Sequence, residues 1–263
     1  MRVRQRSYAF IITSAATSTL LAAWWLLAKL LPRDMAAVFL PTPMVVIKDL
    51  AALLIHGGLL IDIRTSFVRM VAGVAAAFAL ALPLGIAIAT NRRIEAAAEP
   101  ITSVLRYTPL TAFIPLLMFA LGIGEAHKVT VLCLGIFVQL LPIVVESLRS
   151  VESNYVDIAR SYGFSNTKLI RTILLPRIMP TLVDSIRTGF AIGWAYVILV
   201  EYWGAEAGLG HRLWRGQRFN HPDEVYACAV TVGLLGLTCD ASVRLLRRLL
   251  FPWERGRTFR ALA

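Results

Sequence analysis

The chain has 263 residues, 57% of them hydrophobic and only 16% charged, with a formal charge of +11. A soluble domain carries charge on about a quarter of its residues, so an ordinary soluble fold is excluded, and the length holds several spans of about 20 residues. The positive excess does not read as a nucleic-acid footprint, because the basic residues gather at the ends of apolar runs and form no stripe or aromatic-interleaved motif.

Arg2, Arg4 and Arg6 precede an apolar run from Tyr8 to Leu31 that is broken only by Lys29. A secretory h-region is about 7–15 residues long, and this run is long enough to cross a bilayer. It is read as a retained first span, 8–31, with others at 66–90, 105–122, 127–147, 180–202 and 224–246. Backbone groups in hydrocarbon must be satisfied within their own segment, and the alternation of barrel strands is absent. The fold class is therefore an all-α membrane protein with six transmembrane helices.

Between the first two spans, residues 32–65 are too polar and too broken to cross. Pro41 and Pro43 introduce Met44 to Leu60, where Val45, Ile47, Leu50, Leu53 and Leu54 predict an amphipathic helix along the outer interface. In the second span Gly73, Ala77, Ala81, Gly85 and Ala89 recur every four residues and predict close helix packing. Pro109 and Pro115 break the short third span, which suggests a kinked helix packed among others. Trp203 to Asp223 is expected to be an outer loop. No internal repeat is found.

Orientation follows from the Lys and Arg distribution. With the N-terminus inside, 18 of the 27 basic residues fall on the inner side. An even number of spans places the C-terminus there too. Thr108, Thr111, Gln139 and Arg187 are candidate pore-lining residues; hydrogen bonding to neighbouring helices accounts for the first three as well. Snorkelling or a pair with Asp184 accounts for Arg187 better than a substrate contact does, and Arg244 is a partner for Asp240. Cys133, Cys228 and Cys239 sit in apolar runs without CxxC spacing and read as buried free thiols. His56, His127, His211 and His221 are scattered, with no HExxH spacing, so no metal site is assigned.

The stretch 150–176 carries the most information. Ser150 or Ser153 is suited to cap a short helix running through Tyr162, and Gly163 to end it in a left-handed turn. Ser165 is suited to cap a second helix to Leu175, with Pro176 as a stop before the next span. The product is a helix-turn-helix of fixed angle on the inner side. Asp157 lies in its first helix, where it faces a partner or pairs with Arg160.

This stretch resembles the coupling loop of ABC importer permeases, E-A-A-x3-G-x9-I-x-L-P. Ala159, Gly163, Ile173, Leu175 and Pro176 fall on the pattern, while Asp157 replaces Glu and Ile158 replaces Ala. The resemblance runs from about Leu40 to Trp253. It includes Ser66-Phe-Val-Arg69, Gly122-Ile-Gly-Glu125, Glu201-Tyr-Trp-Gly-Ala-Glu-Ala-Gly-Leu-Gly210 and the Gly236–Asp240 pair. It is similar to the nitrate/sulfonate/taurine group.

The resemblance implies a type I importer permease fold in the bacterial inner membrane, with both termini cytoplasmic. It implies a homodimer, a cytoplasmic ATPase docked at Asp157, Ala159, Gly163, Ile173, Leu175 and Pro176, and a periplasmic solute-binding protein. The cargo would be a small solute such as a sulfonate, taurine or nitrate. No GxxxxGK[ST] loop is present, so ATP would be used by the partner, with no cofactor on this chain. The expected division is an N-terminal helix and outer segment over 1–59, a permease core over 60–250, and a basic tail over 251–263. The alternative is an ion-coupled secondary transporter, which calls for midplane acids and inverted repeats.

Overall fold

The computed structural model describes residues 2–32 and 39–253. Arg33, Arg255, Arg257 and Arg260, which enter the charge distribution, lie outside the described residues, as does the basic tail beyond 253. The helices are α1 (Arg2–Leu30), α2 (Pro43–Ile55), α3 (Leu59–Thr90), α4 (Arg92–Tyr107), α5 (Ile114–Leu121) and α6 (Glu125–Arg149). They continue as α7 (Ser153–Ser161), α8 (Asn166–Leu169), α9 (Leu175–Gly204), α10 (Leu209–Arg218) and α11 (Pro222–Leu250). Among the described residues five stretches are long and apolar enough to cross a membrane, and the pair Arg92–Tyr107 and Leu110–Leu121, bent by 85°, brings the number to six when counted as one span.

The bundle is built on α3 and α6. Gly73 and Gly85 are buried where these helices touch: a Cβ on Gly73 would lie 2.5 Å from Leu132 Cβ, and one on Gly85 2.6 Å from Val144 Cγ1. Ala77 and Ala81 are fully buried between them. The small-residue stripe therefore acts in packing, letting two backbones approach. A Cβ on Gly135 would meet the Tyr196 ring at 2.7 Å, which seats α9 on the same helix.

Three predicted boundaries move. α3 starts at Leu59, not at 66, because Gly58 at φ +69 reverses the chain after α2 and lets the next helix begin at once. Its 32 residues make a rod of about 48 Å, longer than a hydrocarbon layer of about 30 Å. The predicted segment 44–60 is a helix only to Ile55, and it packs on α11. The expected outer loop 203–223 contains α10.

The third span divides at Thr108, which is extended at ψ 125 before Pro109; a residue preceding proline avoids the helical region. Pro115 does not break the helix but sits in the first turn of α5, where its missing N–H costs nothing. The expected packing among other helices holds for one face: Ile114 is buried and Leu117 and Met118 pack beside it against Val131 and Val200, whereas Leu116 and Phe119 are 60% and 88% exposed. α1 stands almost free of the bundle. Its attachment lies near its C-terminal end, where Trp24 Nε1 donates to Pro41 O at 3.1 Å and the Trp24 and Tyr226 rings lie 5.9 Å apart.

Candidate functional site

The hairpin joins the end of α6 to the start of α9. Ser150 and Ser153 do not cap its first helix; the N-cap is Glu152, with no side-chain bond. Ser150 still belongs to the last turn of α6, and its hydroxyl donates back to Ser147 O at 2.8 Å. Two residues after α7, Gly163 turns the chain at φ +74. Gly163 N–H donates to Arg160 O at 2.9 Å and Phe164 N–H to Ala159 O at 3.0 Å, the paired bonds of a Schellman end. Nothing lies within 4 Å of the place a Cβ would take at Gly163. The dihedral, not crowding, calls for glycine here.

Ser165 Oγ accepts from Lys168 N–H at 3.4 Å and opens α8. The second helix does not stop at Pro176. A π-helical turn over Ile170–Leu174 carries the chain into α9, and Pro176 lies in the first turn of α9. In a regular helix the proline ring would press on the carbonyl four residues back. Widening the preceding turn accommodates it, so Asn166–Gly204 runs as one span-length stretch.

The hairpin is seated on the bundle. Ala159, Leu169 and Leu174 are buried in the cluster that holds Ile88, Leu148 and Ile178, and Ile173 and Leu175 pack against it. Pro176 is exposed. With Tyr155, Thr172, Ile173, Arg177 and Trp253 it lines a cleft of about 500 Å³. Asp157 is exposed, and among the described residues it forms no ion pair with Arg160. Beside it Tyr155, Ile158 and Tyr162 are 41%, 56% and 80% exposed. A rigid stalk thus presents an acid among apolar side chains.

At the opposite end of the bundle the structure gathers residues that the sequence offered separately. Glu201, fully buried near the end of α9, accepts from Ser66 Oγ at 2.7 Å, Arg69 Nη1 at 2.8 Å and Gly210 N–H at 2.9 Å. Arg69 Nη1 also donates to Ala207 O at 2.7 Å, and its Nε and Nη2 grip Glu125 at 2.7 and 2.5 Å. Lys128 Nζ donates to Glu125 Oε1 at 2.9 Å. Leu209 N–H donates to Ser66 Oγ at 2.8 Å and Gly208 N–H to Asp62 Oδ1 at 2.8 Å. A Cβ on Gly208, at φ +120, would lie 2.4 Å from Glu201 Cδ, so this loop takes glycine on both counts.

Arg212 extends the cluster to α2 and α11. Its Nε donates to Asp62 Oδ2 at 2.6 Å, Nη1 to Glu224 Oε1 at 2.9 Å and Nη2 to Gly57 O at 2.6 Å. Burial pulls the Arg212 pKa down, but the hydrogen bond and charge of Asp62 outweigh it and hold the value above the ordinary one. The sequence offers Lys128 and Arg212 only as topology charges and Arg69 as one more, besides its place in the Ser66-Phe-Val-Arg69 element, and does not show their convergence. One available signal was Glu201 itself, an acid directly following the apolar run Val197–Val200 and costly to leave unpaired there.

The four candidate pore residues do not converge on one site. Arg187 Nε donates to Asp240 Oδ1 at 2.5 Å, and Arg244 and Arg247 pair with Asp240 and Asp184 at 2.6 and 2.5 Å. Of these partly exposed pairs, Arg187–Asp240 and Arg247–Asp184 tie α9 to α11, and Arg244–Asp240 lies within α11. Thr108 Oγ1 donates back to Val104 O at 2.9 Å. Thr111 borders an apolar cavity of about 550 Å³ between α5 and α9, and Gln139 is exposed on α6. Cys133, Cys228 and Cys239 are buried and free.

Residues 81–256 match the family described as binding-protein-dependent transport system inner membrane component. The chain belongs to that family. The permease is 30% identical over 234 residues to the "Probable ABC transporter permease protein" of Brucella abortus strain 2308, covering 89% of this chain and 92% of that one. It is 27% identical over 242 residues to the taurine transport system permease protein TauC of Escherichia coli K12, covering 90% and 87%. The nitrate import permease protein NrtB of Synechocystis is 27% identical over 229 residues, covering 82% of each. Among solved structures, an inward-facing MetNI methionine ABC transporter superposes with a TM-score of 0.65 at 17% identity, covering 73% of this permease and 95% of that chain. The fold is that of type I ABC importer permeases. The protein is an inner-membrane pore subunit of an ABC transport system, a family in which a separate subunit hydrolyses ATP.

Proposed function

We propose that the permease carries a small oxyanionic solute, of the sulfonate, taurine or nitrate kind, inward through a pore formed by two copies of itself. The relatives named for taurine and nitrate support that solute class. In this reading the hairpin and both termini lie in the cytoplasm. A cytoplasmic ATPase seats on the face of Tyr155, Asp157, Ile158 and Tyr162, and a periplasmic binding protein delivers the solute at the Glu201 end. The permease itself hydrolyses no ATP and binds no cofactor. The exposed Leu116 and Phe119 of α5 suit contact with a second copy.

The observation that carries the proposal is the hairpin's build. Its core side is locked by Ala159, Leu169 and Leu174, and its turn is fixed by Gly163. A seat of this kind passes displacement to the start of α9 without bending. Affinity purification from mild detergent tests it: the wild type should bring down an ATPase subunit, and Gly163→Leu should lose it or uncouple it from uptake. Solute import by vesicles holding this polypeptide alone would overturn the reading.

A further inference from the structure

We infer that Glu125 is a positioning residue for transport: with Arg69 it forms a breakable latch that holds the α5–α6 corner against α3. The inference rests on the permease reading above and assigns a role that the coupling hairpin does not cover.

The cluster around Arg69 has two unlike halves. On one side Glu201 is 0% exposed and Arg69 7%, and the contact is sealed by Ser66, Ala207 O and Gly210 N–H. On the other side Glu125 is 60% exposed while its two cationic partners, Arg69 and Lys128, are 7% and 6% exposed. Water therefore reaches one carboxylate and not the other. Release of Glu125 from Arg69 leaves the guanidinium bound to Glu201 and Ala207 O, and Lys128, three residues along the same helix, keeps Glu125, so opening strands neither buried cation. The Glu201 half is a permanent tie and the Glu125 half an exchangeable one.

What the latch holds is a lightly seated segment. Glu125 begins α6 directly after Gly122-Ile-Gly124, and neither Gly122 nor Gly124 has an atom within 4 Å of a built Cβ. α5, on the other side of these glycines, fully buries only Ile114, with Leu117 and Met118 half-buried beside it. Beneath it lies the apolar cavity of about 550 Å³ bordered by Ile114, Met118, Leu199 and Trp203. At its other end α5 meets α4 at the 85° bend. A short helix between two pivots, over unfilled space, moves at small packing cost. The Arg69–Glu125–Lys128 contact fixes the pivot nearest the receptor end. In an ATP-driven cycle, opening that end before a loaded receptor arrives would waste hydrolysis, and the latch opposes it.

The test uses the full transporter, permease with its ATPase and receptor, reconstituted in vesicles. Glu125→Gln keeps the shape and the Glu201 half, so the complex should assemble at wild-type yield. ATP hydrolysis without solute should rise by about fivefold or more, the low end of coupling between linked sites, and solute imported per ATP should fall in proportion. Glu125→Asp should restore coupling in part. An unchanged ratio of import to hydrolysis in Glu125→Gln would overturn the latch, as would an assembly failure matching that of Glu201→Ala, because the contact would then be only structural. If the wild type brings down no ATPase, the permease reading fails instead.

Discussion

The two ends of the permease are built in opposite ways. The hairpin is local: 24 residues from Ser153 to Pro176 set their own geometry through one left-handed glycine and one serine cap, and the face proposed for docking is left exposed. The Glu201 cluster is long-range: Ser66 and Arg69 from α3, Glu201 from α9 and Gly210 from α10 meet in the interior, all buried. The hairpin's chemistry lies in what it leaves unpaired, and the cluster's in what it pairs. Local geometry tolerates substitution at its exposed face, whereas a buried charge network fails when one member is removed.

The contrast can be broken by mutation, and the largest effect belongs to the cluster. Glu201→Ala leaves Arg69 and Ser66 without their sealed acceptor and should cost about 3–5 kcal/mol, read as a lower melting temperature in detergent. Gly73→Leu forces a side chain into the α3–α6 contact, where even a Cβ lies 2.5 Å from Leu132 Cβ, and should cost about 1–3 kcal/mol. At the hairpin, Gly163→Leu should cost about 1–2 kcal/mol for the left-handed turn, with ATPase retention falling more than stability. Gly163→Asn, which adopts that turn readily, should retain the ATPase. Asp157→Ala should change melting by no more than about 0.5 kcal/mol and weaken only ATPase binding. Equal stability losses for Asp157→Ala and Glu201→Ala would erase the distinction.

A smaller effect sharpens the electrostatics near the cluster. Burial raises the pKa of Asp49, Asp223 and Glu224 raise it further, and His221 and Arg212 oppose them; its Oδ2 is buried without a hydrogen-bond partner. A carboxyl raised in the folded state favours folding below its ordinary pKa, and that contribution is lost as pH rises through the folded value. Asp49→Asn should therefore stabilise the permease at neutral pH by less than about 1 kcal/mol. The gain should shrink as pH falls through the folded value, as thermal melts across pH would show.

The same contrast explains what was legible in the sequence. Span positions follow from apolar runs, and Gly163 and Ser165 announce their turns because cap chemistry acts within a few residues. α4 was missed because Glu95, Glu99 and its alanines make no apolar run, although they form a helix with Asn91 capping it. The first turns of α3, residues 59–65, look too polar to belong to a span, since Arg212, the partner that satisfies Asp62, lies 150 residues away. The π turn ahead of Pro176 has no sequence mark of its own. Ser66, Arg69, Glu125 and Glu201 were each visible as motif letters, but adjacency in space is a property of packing.

Sidedness is the claim on which the rest depends. The native thiols are buried, so single cysteines can report it. Ser161→Cys in the hairpin and Phe219→Cys, replacing a side chain 64% exposed beyond α10, should be treated with a membrane-impermeant thiol reagent in spheroplasts and in inverted vesicles. The account predicts labelling of Phe219→Cys only in spheroplasts and of Ser161→Cys only in inverted vesicles; the reverse pattern, or both on one side, would contradict it.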